Sequence, residues 1–154
     1  MRRIRVNVLI AFALLLSSST LTSATASGDD SFRVTDVSNQ FEAVDVGDKG
    51  ESLGDQIVVS DDVYKGEDLV GSLDGFCTTT RIEAAAFHQE CVVTLTLPRG
   101  QLTAQGVIRF DADFEDAFDI ALTGGTGSYD DAAGEARVEF VSDTETTIEV
   151  DLEG

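Results

Sequence analysis

Side chains that could perform nucleophilic or phosphate chemistry are scarce in this 154-residue chain. His88 is the only histidine, lies beside a predicted turn and lacks a Ser or Cys partner in a triad-like context, so we expect no catalytic triad. The glycine run at 123–127 (TGGTG) lacks the Lys and Ser/Thr that follow in a phosphate-binding loop, and it precedes a predicted strand. We interpret it as a glycine corner of a β-structure.

Two acidic clusters, DADFED and SYDD, could bind Ca²⁺ loosely through their carboxylates. Neither has the spacing of an EF-hand loop. We therefore expect no metal site and no cofactor.

The N-terminus has the layout of a secretory signal. Three arginines in MRRIR precede an apolar run at 6–16, which gives way to Ser, Thr and Ala and an A-T-A sequence ending at Ala26. The run is too short to span a bilayer, which requires about 20 apolar residues. We predict a signal peptide at 1–26, one domain at 27–154, and a protein secreted to the cell envelope or the medium.

Charge narrows the range of partners. The signal carries three of the ten basic residues and none of the 29 acids, so a net charge of −19 becomes −22 after cleavage. This disfavours nucleic acid and anionic membranes as partners. A salt-rich habitat and ordinary extracellular solubility explain such acidity equally well.

Beyond residue 30, Val, Thr, Ile and Phe recur with period two between clusters of Gly, Asp and Ser, which indicates an all-β domain. We predict eight strands, the first of them bent. They cover 32–46, 56–64, 69–81, 87–97, 101–110, 118–122, 136–141 and 144–152.

Eight short strands with tight connections favour an antiparallel up-and-down barrel, which fills with side chains or holds one small ligand. A β-sandwich fits less well, because no long Greek-key return is evident.

Two cysteines in an exported chain favour a disulfide. If the third and fourth strands form a hairpin that turns near Ala84, residues whose numbers sum to 168 face each other, and Cys77 and Cys91 satisfy this condition. Two free buried thiols are the alternative.

Four motifs, GDQIVVSDDVYKG, GSLDGFC, GQLTAQGVIRF and TGGTGSYDDAAGE, follow one another at barrel-strand spacing. Together, over about residues 54–140, they resemble the allene oxide cyclase barrel family and the related dirigent proteins. The resemblance implies an eight-stranded calycin-like barrel with a ligand cavity whose wall guides a cyclisation or coupling. It also leaves a homotrimer open as an assembly.

By motif position, Asp61 matches an Asn of the cyclase second strand, and Glu42 is the best match for an acid on the first strand. Together with Tyr64 they are the catalytic residues that the resemblance implies. Asp61 departs from the family's neutral amide, and Cys77, which matches a family Cys, would be consumed by the disulfide. Solvated carboxylates and a strand-end tyrosine are the competing interpretation. The sequence also predicts little aromatic cavity lining.

Two functions follow. The chain is a cyclase, isomerase or dirigent-type protein that steers a reactive small hydrophobic molecule, or it is a non-catalytic lipocalin-like binding module.

Overall fold

The computed structural model describes residues 31–47 and 49–153, so the predicted signal peptide lies outside the described residues. Eight strands form a closed antiparallel barrel in which each strand pairs with the next and β8 pairs with β1. The prediction of an all-β, up-and-down barrel is confirmed. The strands are β1 (Phe32–Val44), β2 (Gln56–Lys65), β3 (Asp68–Glu83), β4 (Ala86–Leu97), β5 (Gly100–Asp111), β6 (Ala117–Gly125), β7 (Gly134–Ser142) and β8 (Glu145–Leu152).

A short 3-10 helix, Gly127–Tyr129, connects β6 to β7. Within the described ranges, no helix is long and apolar enough to cross a membrane.

Buried aliphatic side chains fill the interior at one end of the barrel. Val63, Val150 and Leu102 are at most 2% exposed, and Val34 is 3% exposed. Val34 and Leu102 lie near the start of their strands, and Val63 and Val150 near the end of theirs, so all four lie at the same end of the antiparallel barrel. Each points inward, because its neighbours in the strand point outward. This packing fills the barrel interior at that end with aliphatic side chains.

The β3–β4 hairpin has the predicted register. Cys77 and Cys91 are direct cross-strand partners, 4.0 Å apart at Cα, and form a disulfide. The prediction of that bond is confirmed. Both side chains belong to the interior wall, where Cys91 is 2% exposed.

The glycine run forms a corner, as its sequence indicates. Gly125 lies so close to the main chain that a Cβ atom there would collide with the carbonyl oxygens of Gln101 and Tyr129. The next residue, Thr126, donates its N–H to the same Gln101 oxygen at 2.8 Å. β6 therefore extends to Gly125, beyond the predicted end at residue 122.

A β-bulge bends β1. Val37 pairs with Asp62 and Gln40 with Ser60, so two residues, Ser38 and Asn39, oppose the single residue Asp61. Because side chains alternate along a strand, one extra residue exchanges the inner and outer faces of everything that follows.

Candidate functional site

The barrel encloses a cavity of about 360 Å³ that reaches the end carrying the β7–β8 turn. Its wall is mainly aliphatic and comes from all eight strands. Side chains from the deeper wall include Leu73, Val93, Leu95, Leu102, Ala104, Ile120, Leu122, Ala136, Ile148 and Val150. A cavity of this size and polarity suits a small organic molecule.

Asp36 projects from β1 into this apolar wall. Its side chain is 8% exposed, and its Oδ1 is buried without a hydrogen-bond partner. Burial raises the pKa of Asp36 to about 7, and the negative charge of Asp61 adds to the shift. A substantial fraction of this carboxyl therefore keeps its proton at neutral pH.

Asp61 is the second buried acid of the cavity wall and is 6% exposed. Its position opposite the β1 bulge provides a donor, because the Asn39 N–H is released from regular strand pairing and donates to Asp61 Oδ1 at 3.0 Å. The Asn39 side chain donates instead to Asp62 on the outer face, at 3.2 Å. The bulge thus holds the Asp61 carboxylate beside Asp36.

Gln89 and Ser38 add neutral polar groups to the wall. Gln89 is 6% exposed, and its amide donates to Thr79 Oγ1 at 3.4 Å. Its carbonyl oxygen and the Ser38 hydroxyl are groups that can orient a ligand.

Aromatic side chains surround the open part of the cavity, contrary to the expectation from the sequence. Four phenylalanines from four strands line it: Phe41, Phe110, Phe118 and Phe140. Phe114 joins them, with ring centroids 4.9 Å from Phe110 and 6.3 Å from Phe140. The expectation of little aromatic lining was wrong because each strand contributes only one of these rings, and the assembled barrel brings the four together.

Of the three predicted catalytic residues, the structure brings only Asp61 into the cavity wall. Glu42 is exposed and pairs with Val58, whose side chain is also exposed, on the outer face. Tyr64 is half-buried and follows the inward Val63, so it too lies on the outer face. Neither residue lines the cavity.

Asp36 is the residue that the sequence interpretation missed. Phe32, Val34 and Asp36 occupy alternate positions of β1, and an acid in the apolar series of an alternating strand indicates a buried carboxyl. Counting on from Asp36 without the bulge would also place Glu42 inside. The bulge reverses that assignment.

In the described part of the chain, no three metal-binding side chains come together. The cavity holds two carboxyls in an apolar pocket, and one of them, Asp36, is about half protonated near neutral pH. Such a pair can donate a proton at one atom and accept one at another.

Comparison with known proteins places the chain in a family. The model of the allene oxide cyclase barrel like domain matches residues 32–152, so the chain belongs to that family. No curated protein matches it in sequence.

Several solved structures share the fold. Pyocyanin demethylase is 26% identical, with 80% of this chain and 99% of that chain covered and a TM-score of 0.71. A pterocarpan synthase dirigent protein is 21% identical, with coverage of 79% and 90% and a TM-score of 0.56. The Diels Alderase AbmU from Streptomyces koyangensis is 15% identical, with coverage of 80% and 64% and a TM-score of 0.66. A demethylase, a dirigent protein and a Diels Alderase thus share the barrel fold of this chain.

Proposed function

We propose that this family member is an exported cyclase or isomerase that folds a small, mainly apolar molecule inside its barrel and moves a proton with Asp36 and Asp61. The observation that carries the proposal is the pair of buried carboxyls in the wall of one apolar cavity, one with a pKa of about 7. Titratable groups with strongly perturbed pKa values in a cleft are typical of acid–base sites.

The two acids take different roles. Protonated Asp36 donates its proton to one atom of the ligand while the Asp61 carboxylate accepts a proton from another, so the product is an isomer of the substrate. A proton then returns from Asp61 to Asp36, which restores the starting state without an oxidant or reductant. The Asn39 N–H keeps the Asp61 carboxylate oriented throughout.

The rest of the cavity contributes position and environment. Aliphatic walls exclude water, which strengthens the electrostatic interactions of both carboxyls. The same walls restrict a flexible ligand to few conformers, the main requirement for steering a cyclisation. The names of two structural neighbours, a Diels Alderase and a pterocarpan synthase dirigent protein, support this class of function, whereas the named reaction of the demethylase is not an isomerisation.

The export part of the proposal rests on the predicted signal at 1–26 and on the Cys77–Cys91 disulfide, which fits an oxidising compartment. The intact mass of the protein purified from the culture medium tests it. A chain beginning at Ser27 is expected. An uncleaved chain retained inside the cell would overturn export without affecting the cavity chemistry.

A non-catalytic carrier is the second candidate, and the largely aliphatic wall of the cavity favours it. One experiment separates the two. The purified protein is incubated with an extract of its own cells, and retained and altered compounds are identified by chromatography and mass spectrometry. An isomer of unchanged mass supports the cyclase, whereas an unaltered bound compound supports the carrier.

Three variants make that experiment decisive. Asp36→Asn and Asp61→Asn should each abolish formation of the isomer. Asp74→Asn removes the same charge from the exposed outer wall, where Asp74 accepts hydrogen bonds from Ser60 and Ser72. The Asp74→Asn variant should still form the isomer. Conversion that persists in Asp36→Asn and Asp61→Asn would exclude the carboxyl pair as the catalyst.

A further inference from the structure

The charges around the cavity are all of one sign. Four acids line it, namely Asp36, Asp61, Asp143 and Glu145, and no Lys, Arg or His does so among the residues that the structure describes. Arginines on β1 and β7 form ion pairs outside the cavity: Arg33 pairs with Glu149, and Arg137 pairs with Asp119 at 3.1 Å. A buried carboxylate without a counterion is costly, and it is stabilised either by a proton, which Asp36 partly keeps, or by a ligand that supplies positive charge.

One acceptor is specifically available to such a ligand. Asp36 is 92% removed from solvent, lines the cavity and leaves Oδ1 without a hydrogen-bond partner. Asp61 accepts from a single backbone N–H on Oδ1. A protonated ligand nitrogen placed between the two side chains could donate an N–H to Asp36 Oδ1, and a quaternary nitrogen there would balance the negative charge without a hydrogen bond.

Aromatic rings approach the same cavity. Phe41, Phe110, Phe118 and Phe140 line it, and Phe110 and Phe140 also belong to a continuous ring cluster through Phe114. The negative face of a phenylalanine ring attracts cations and stacks against flat ring systems. Aliphatic and aromatic walls therefore fit a ring compound, while the acids require it to be positive.

The opposite end of the barrel has the reverse character. A second groove of about 410 Å³ there is lined by Lys65 and Arg99 together with Phe32, Tyr129, two serines and aliphatic residues. Arg99 lies over the Tyr129 ring, 5.6 Å from its centroid. The barrel thus places cationic side chains at its packed end and only acids at the cavity, so a fatty acid or another carboxylate is a poor occupant of the cavity.

We infer that the cavity is selective for an organic cation: a flat, mainly apolar ring compound carrying one protonated or N-alkylated nitrogen. The inference rests on the proposed function in that it assigns a ligand class to the same cavity. It does not depend on whether the bound molecule is transformed.

Three bicyclic probes of matched shape test it: N-methylquinolinium, the neutral 1-methylnaphthalene and the anionic 1-naphthoate. Dissociation constants are measured by fluorescence titration at low salt with the full mature protein. The cation should bind at least about tenfold more tightly than the neutral probe, and the anion should bind more weakly than both. Asp61→Asn should remove most of the cation's advantage, and Asp74→Asn should leave it intact. Thermal unfolding of each variant verifies that it is folded.

The outcomes separate this inference from the proposed function. Neutral binding equal to or tighter than cation binding would overturn the cation class but leave the cavity as a ligand site. A cation whose affinity falls equally in Asp61→Asn and Asp74→Asn would show only attraction to the acidic surface and would also overturn it. If none of the probes binds, the cation class is overturned, and the proposed function is then decided separately by the incubation with the cell extract.

Discussion

Asp36 and Asp61 face one cavity from neighbouring strands although they are not paired in the β1–β2 register, where Asp36 lies opposite Val63. They share a face because Asp61 lies two residues before Val63 on β2, and the bulge at Ser38 and Asn39 leaves Asp61 opposite two residues and supplies it with the Asn39 N–H. The bulge therefore orients the Asp61 carboxyl, whereas regular strand alternation places Asp36.

The coupling between the two acids can be measured directly. Asp61→Asn should lower the pKa of Asp36 from about 7 toward its ordinary value of 3.8, because the repelling charge is removed. The pKa should stay clearly raised, since burial is the larger cause. Titration of the Asp36 carboxyl carbon by NMR measures the change. An unaltered midpoint, equal to that of Asp74→Asn, would contradict the coupling.

Stability should depend on pH through Asp36. A carboxyl whose pKa is raised on folding binds more protons in the native state than in the unfolded state. The contribution of protonated Asp36 to the free energy of unfolding is therefore fully present below pH 4 and is lost as the pH rises to about 7. The charged groups lining the cavity with Asp36 are Asp61, Asp143 and Glu145, all of them acids. Asp36→Asn should therefore gain stability relative to the wild type between pH 5 and pH 8.

We expect that relative gain to be on the order of 2 kcal/mol, less than the pKa shift alone would give, because water reaches the open end of the cavity. Urea unfolding of both proteins at the two pH values measures it. Comparing the two cancels the general self-repulsion of so acidic a chain. Parallel pH profiles for the two proteins would exclude Asp36 as the source.

The disulfide should stabilise the fold substantially. Cys77 and Cys91 close a short loop, with a sequence separation of 14, and reduction should cost about 3 kcal/mol of unfolding free energy by the chain-entropy account. Urea unfolding with and without reductant measures this cost. The double variant Cys77→Ala/Cys91→Ala is the control, since a reductant should not change its stability. An equal response to reductant in both proteins would mean that the effect has another origin.

Two phenylalanines form a matched pair for testing the aromatic wall. Phe140 and Phe76 are nearly equally exposed, at 42% and 44%, but Phe140 lines the cavity and Phe76 does not. Phe140→Ala should weaken binding of N-methylquinolinium by about three- to tenfold, whereas Phe76→Ala should leave the dissociation constant unchanged. Equal losses in both variants would argue against a specific contact with the ring.

The glycine corner allows a purely steric test. Gly125→Ala would drive a methyl group into the carbonyl oxygens of Gln101 and Tyr129, so we expect a loss of about 2–3 kcal/mol in unfolding free energy. Ser128→Ala in the same corner should change it by less than about 0.5 kcal/mol. Equal stability of the two variants would mean that the corner can relax.

The sequence alone determined most of the fold. Period-two alternation and turn residues predict all eight strands, with bounds that mostly agree within two residues, because each strand buries one face. The Cys77–Cys91 pairing also followed, since a tight hairpin sets the register of its own strands by counting from the turn. These are local properties of the chain.

Only the tertiary structure decided the site. The bulge opposite Asp61 reversed the faces of β1 beyond Asn39, so Glu42 lies outside although Asp36, before the bulge, lies inside. Barrel closure gathered phenylalanines from β1, β5, β6 and β7 around one cavity. The raised pKa of Asp36 likewise depends on burial and on a charge from the next strand. Each depends on contacts between distant residues, which the alternation of a single strand does not encode.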